Sequence, residues 1–153
     1  MQSDFFIRPL NGNEELDLFC SIPYVINHEI PSDLDCGRRR LEWLWVAVQN
    51  ERLLGRIGWW TRSAGESPAV LDIFDIAGLD DHASDALVAT AMRAVLPRDV
   101  TPPWYIRFLA PDWHEDSAEV REAARRSAAL GRFVARPLAE RLRFQGMSAP
   151  PFL

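Results

Sequence analysis

The sequence predicts an α/β domain of the α+β kind, and three observations carry that prediction. Residues 43–48, 53–60 and 70–76 are three apolar runs rich in β-branched and aromatic side chains, separated by loop-formers. Residues 83–96 repeat apolar side chains at helical spacing, with Leu87, Ala91, Ala94 and Val95 on one stripe and Val88 and Met92 beside it. Residues 104–109, framed by Pro102, Pro103 and Pro111, return to the strand pattern. The first three runs form an antiparallel meander over 43–77. Four of the six tryptophans fall in it, which makes it the core sheet.

The elements follow in order. Phe5, Phe6, Ile7 and Arg8 open a first strand, and Pro9, lacking a ladder donor, places it at a sheet edge or ends it. Asn13 is a fitting N-cap for a helix over 14–20, with acidic residues in its first turn and Pro23 behind it. Residues 24–31 are irregular. A short helix over 32–41 is predicted, weakened by Gly37. Arg38, Arg39 and Arg40 point in different directions from a helix, so they read as a solvated surface rather than an anion site.

Gln49, Asn50, Glu51 and Arg52 make a gap of hairpin length, and residues 62–68 supply Gly, Ser and Pro for the second connection. Pro97 stops the helix that follows the meander. Asp116, Ser117, Ala118 and Glu119 resemble a capping box that opens a last helix to Leu130, with a narrow stripe of Val120, Ala124 and Leu130 and Gly131 as C-cap. Residues 141–145 alternate and predict a final strand. Residues 1–146 are read as one domain and 147–153 as a tail or the start of a linker.

Composition bounds the function. A chain of 153 residues suffices for one domain that buries about two thirds of its unfolded surface. No apolar run approaches the ~20 residues of a membrane helix. No signal peptide is visible at the N-terminus, so a cytoplasmic location is expected, with no membrane partner. The net charge of −5 argues against nucleic acid as a partner. All 17 basic residues are arginine, which a GC-rich bacterial genome explains without appeal to function. Cys20 and Cys36 are expected to be free, buried thiols in a reducing compartment. His28, His82 and His114 match no ligand spacing, so no metal is expected.

The order of elements resembles that of the GCN5-related N-acetyltransferase (GNAT) fold over residues 4–145. A narrower resemblance is to the N-terminal halves of tandem acetyltransferases from high-GC actinobacteria. It rests on Trp45, Val46 and Ala47 in one strand, Trp59 and Trp60 closing the next, the pattern Leu71-Asp72-x-Phe74-Asp75, and the arginine-rich close Glu140-Arg141-Leu142-Arg143-Phe144. The resemblance implies a mixed, mostly antiparallel central sheet with helices on both faces. It also implies acetyl transfer from acetyl-CoA to a small-molecule amine, and a second acetyltransferase domain as partner; a homodimer is a further option.

In the family the coenzyme A pyrophosphate sits on a glycine-rich turn before the third helix, where free backbone N–H groups meet a helix N-terminus. The matching positions here include Ala77, Gly78 and Ala83. Residues 77–85 hold one glycine, no arginine and three carboxylates. Each carboxylate beside a pyrophosphate is repulsive by about 1 kcal/mol or more. The family's acid is a tyrosine on the fourth helix, and residues 116–131 contain none. The general base is often a carboxylate on the fourth strand, which makes Asp72 and Asp75 the catalytic candidates.

On a period of two, Asp72 shares a face with Val70, Phe74 and Ile76. One of the two aspartates is therefore expected to be buried; unpaired, a buried carboxylate has the raised pKa that suits a base, and the competing reading pairs it with an arginine such as Arg56 or Arg107 across the sheet. Trp59, Trp60 and Phe74 are candidates for a substrate-binding wall, against the alternative of core packing; Trp59 and Trp60 point to opposite faces. The expectation is therefore an acetyltransferase-like domain with a degenerate cofactor site and weak or no activity alone. The alternative is a non-catalytic interaction or small-ligand module.

Overall fold

The computed structural model describes residues 5–98, 102–109, 118–130 and 140–144. Among these described residues six strands form one mixed sheet in sequential order: β1 (Phe5–Pro9), β2 (Leu44–Gln49), β3 (Arg52–Trp60), β4 (Val70–Ile76), β5 (Trp104–Leu109) and β6 (Glu140–Phe144). The first four are antiparallel, whereas β4–β5 and β5–β6 are parallel. Helices α1 (Leu16–Phe19) and α2 (Ile30–Cys36) lie in the chain between β1 and β2. Helix α3 (Asp81–Val95) joins β4 to β5, and α4 (Ala118–Leu130) joins β5 to β6.

Strand β2 shows why both faces are covered. Trp45 and Ala47 enter one core layer, which contains Leu87, Val88 and Ala91 of α3 and Leu130 of α4. Leu44, Val46 and Val48 alternate into the other layer, with Phe19 of α1 and Ile30 of α2. A strand buried on both faces reads as a continuous apolar run, which is how residues 43–48 look in the sequence. The predicted run starts early, however: Leu41–Trp43 is a 3-10 turn leading into the strand.

The β2–β3 hairpin turns on Asn50 and Glu51, both with positive φ (52° and 66°). This is the two-residue geometry whose twist suits the flanking strands. Two register shifts then interrupt regular alternation, one between Ala47 and Val48 and one between Gly58 and Trp59. At the second, Trp59 opposes Leu71 and Gly58 opposes Ile73, so Asp72 is the extra residue of a bulge in β4. Leu71 and Phe74, three apart, consequently share the α3 layer. The period-two reading that put Asp72 on the face of Phe74 is corrected by this bulge: Asp72 turns to Arg39, next to α2.

Several local expectations shift for identifiable reasons. Asn13 does not cap the first helix; a 3-10 turn, Asn13–Glu15, precedes a single α-turn. Glu15 does the fastening, accepting from the Asn11 amide at 2.7 Å and pairing with Arg8 through both oxygens. Helix α2 begins at Ile30 and ends at Cys36 rather than spanning 32–41. Gly37 ends it because its φ of +84° is left-handed, and a Cβ there would lie 2.6 Å from the Ala64 Cβ. Helix α3 starts at Asp81, capped by Asp80, whose carboxylate accepts from the Ala83 amide at 2.8 Å. Ala94 and Ala124, assigned to apolar stripes by spacing, are exposed. Cys20 and Cys36 are free thiols; Cys20 is half-buried, and Cys36 is exposed rather than buried. The capping residues Asp116 and Ser117, Gly131, and the 147–153 tail lie outside the described residues.

Candidate functional site

The sheet is least regular where β4 meets β5. These strands pair over only two residues, Val70↔Trp104 and Leu71↔Tyr105. Beyond that point their edges are not joined by a ladder, and polar side chains occupy the division. The Tyr24 hydroxyl spans it, donating to the Asp72 carbonyl at 2.8 Å and accepting from the Phe108 amide at 2.9 Å. Burial pushes the pKa of this hydroxyl well above the ordinary tyrosine value, so it is a neutral bridge. Nothing in the irregular 24–31 stretch of the sequence marks Tyr24 for this role, because its partners are 48 and 84 residues away.

Two clusters of opposite charges flank this bridge. In the first, Arg39 is 2 % exposed and lies between two carboxylates. Its Nε donates to Asp33 at 3.0 Å, and its two terminal nitrogens donate to Asp72 at 2.8 and 2.6 Å. Arg38 reaches the other oxygen of Asp33 at 2.9 Å. Two guanidinium groups thus meet two carboxylates. Burial works against the charge of Arg39, yet Asp72 and Asp33 outweigh it and hold its pKa above the ordinary value. The reading of the triple arginine as a solvated surface is therefore wrong for its middle member. The αL turn at Gly37 explains the difference: it ends the helix and lets the Asp33 carbonyl accept from both the Arg38 and Arg39 amides.

The second cluster centres on Asp75, 1 % exposed. Arg56, opposite it on β3, donates from Nε at 2.8 Å. Arg56 also donates to the Phe19 carbonyl at 2.8 Å and to Asn27 Oδ1 at 3.0 Å. Arg107 of β5 approaches Asp75 Oδ1 at 3.0 Å, with its guanidinium 3.8 Å from the Tyr24 ring centre. Arg126 of α4 approaches the same oxygen at 3.4 Å and Glu122 at 3.8 Å. Burial lowers the pKa of Arg56 despite the pull of Asp75, and the nearby Arg107 charge adds to that shift. Three cations share one buried carboxylate here, with Glu122 at the rim.

Asp72 and Asp75, the candidate bases, are thus both buried and both paired. Arg56 and Arg107 converge on Asp75, while the partner of Asp72 is Arg39, which the sequence did not suggest. Trp59 and Phe74 are fully buried in the α3 layer, and Trp60 is half-buried on β3. Trp59 and Phe74 therefore pack as core and line no open wall. Ala77 and Gly78 both donate their amides to the Leu54 carbonyl, at 2.8 and 3.0 Å, and the Ala83 amide is taken by Asp80. All three amides at the proposed cofactor turn are thereby occupied within the chain.

Among the described residues no cluster of His, Cys, Asp and Glu could hold a metal ion, and no helix is long and apolar enough to cross a membrane. No family model matches the chain, and no curated protein or solved structure is significantly similar to it.

Proposed function

We propose that this chain is an acetyltransferase-like domain that transfers little or no acetyl group by itself and works beside a second, catalytic acetyltransferase domain. The observation that carries this reading is the pairing of Asp72 and Asp75. A general base must face the proton it removes, whereas both carboxylates are buried against guanidinium groups: Asp72 against Arg39, and Asp75 against Arg56 and Arg107. The amides of Ala77, Gly78 and Ala83, where a pyrophosphate would dock, already have acceptors. The element order, with an antiparallel meander followed by parallel β4 and β5, supports the scaffold by analogy only. In the active version of this reading, acetyl-CoA is the donor, a small amine is the acceptor, and Asp75 or Asp72 is released from its arginine.

Acetyl-CoA at millimolar concentration is expected to leave the melting temperature unchanged, and mixed amines are expected to stay unacetylated. A working site at 100-fold its dissociation constant would add about 2.7 kcal/mol of stability, visible as a shift of several degrees. Such a shift, or acetylated product, overturns the non-catalytic reading. The coding sequence downstream of residue 153 is expected to contain an acetyltransferase domain in frame or adjacent. A second reading, a small-ligand module, is favoured by the excess of guanidinium groups around Asp75.

A further inference from the structure

The two charge clusters differ in balance. Around Arg39 two cations face two carboxylates, and every charge has an opposite partner. Around Asp75 three cations, Arg56, Arg107 and Arg126, face Asp75, and the partly exposed Glu122 at the rim is shared between Arg126 at 3.8 Å and Arg125 at 3.1 Å. Cys20, which also lies near Arg56, adds no negative charge, because burial raises its thiol pKa. The Tyr24 hydroxyl is likewise neutral.

The donors record the same imbalance. Arg56 Nη2, Arg107 Nε and Arg126 Nε are buried and have no hydrogen-bond acceptor among the described residues. Arg107 Nη1 and Asp75 Oδ1 are 3.0 Å apart, yet neither makes an aligned hydrogen bond. A buried charged donor without an acceptor is costly, at the upper end of what an unmade hydrogen bond costs. These groups meet where β4 and β5 have lost their ladder, so no backbone carbonyl of a paired strand fills the need. Arg126 and Glu122, on α4, form the side open to solvent, with side chains 12 % and 39 % exposed.

We propose that the division between β4 and β5 is a binding site for a small monocarboxylate, held by Arg56, Arg107 and Arg126. Among the described residues positive charge exceeds negative around Asp75, which calls for an anion. Donors on separate guanidinium groups call for an acceptor with two oxygens rather than a point ion, and planar forks match a carboxylate well. The site is independent of whether the domain pairs with an acetyltransferase.

Acetate is the probe, added to the full chain as its sodium salt, with chloride and phosphate compared at equal ionic strength. Acetate is expected to raise the melting temperature in a saturable way that chloride does not reproduce. Arg126→Gln should weaken the apparent acetate affinity about tenfold, and Glu122→Gln, which removes a competing rim charge, should strengthen it roughly threefold. Arg62→Gln, exposed in the connection between β3 and β4 and in none of these ion pairs, should change neither. An equal response to chloride, a stronger response to phosphate, or acetate stabilisation unchanged in both Arg126→Gln and Glu122→Gln would overturn the proposal.

Discussion

The two faces of the sheet are held by different forces. Toward α3 the contacts are apolar: Trp59, Phe74, Leu87, Val88 and Ala91 close a layer whose attraction is non-directional and additive over area. Toward α1 and α2 an apolar patch around Phe19, Ile30 and Ile73 is interrupted by Arg39, Arg56, Asp72 and Asp75. Such pairs add little net stability over an apolar core, because desolvation offsets attraction, but breaking one is severe. The contrast teaches that the apolar face supplies stability while the charged face fixes how β4, β5 and α2 sit relative to one another.

The sharpest test compares one substitution on each face. Arg39→Met is expected to cost about 3–5 kcal/mol in urea unfolding, because Asp72 is left buried without a counter-ion. Adding Asp72→Leu should recover most of that loss, giving strong non-additivity. Leu87→Ala should cost about 2–5 kcal/mol through its cavity, independent of salt and pH, and should not be recovered by any change of charge. Additive single and double mutants at Arg39 and Asp72 would break the comparison.

Tyr24→Phe should cost about 1–3 kcal/mol near neutral pH, since the Asp72 carbonyl and the Phe108 amide lose their bridge. The folded-state pKa of Tyr24 is raised, so its contribution is complete below the unfolded value, about 10, and is lost as pH climbs beyond it. Stability measured from pH 8 to 12 should therefore fall less steeply above pH 10 in Tyr24→Phe than in the unaltered chain.

The smallest effect belongs to the partly exposed Arg8–Glu15 pair. The bond from Arg8 lowers the Glu15 pKa, so its contribution is present above the unfolded carboxylate value and is lost as pH falls through the folded one. Glu15→Gln should cost under about 1 kcal/mol at pH 7 and nothing at pH 2.5, because solvent screens the pair.

The sequence by itself determined the elements. Apolar runs and helical spacing depend on neighbours along the chain, so β2, β3, β4, α3, β5 and α4 were legible to within a few residues, as was an α+β sheet. It also offered Arg56 and Arg107 as partners of a buried β4 aspartate, because neighbouring strands put their residues in contact, but it did not choose between Asp72 and Asp75. Only the tertiary structure decided the rest. The bulge at Asp72 moved a carboxylate from one face to the other, and the left-handed turn at Gly37 took Arg39 from the surface into the core. The bridge from Tyr24 joined strands 48 and 84 residues distant. Each depends on a register or a contact between remote segments, and pattern along a chain does not encode the charge balance that such contacts create.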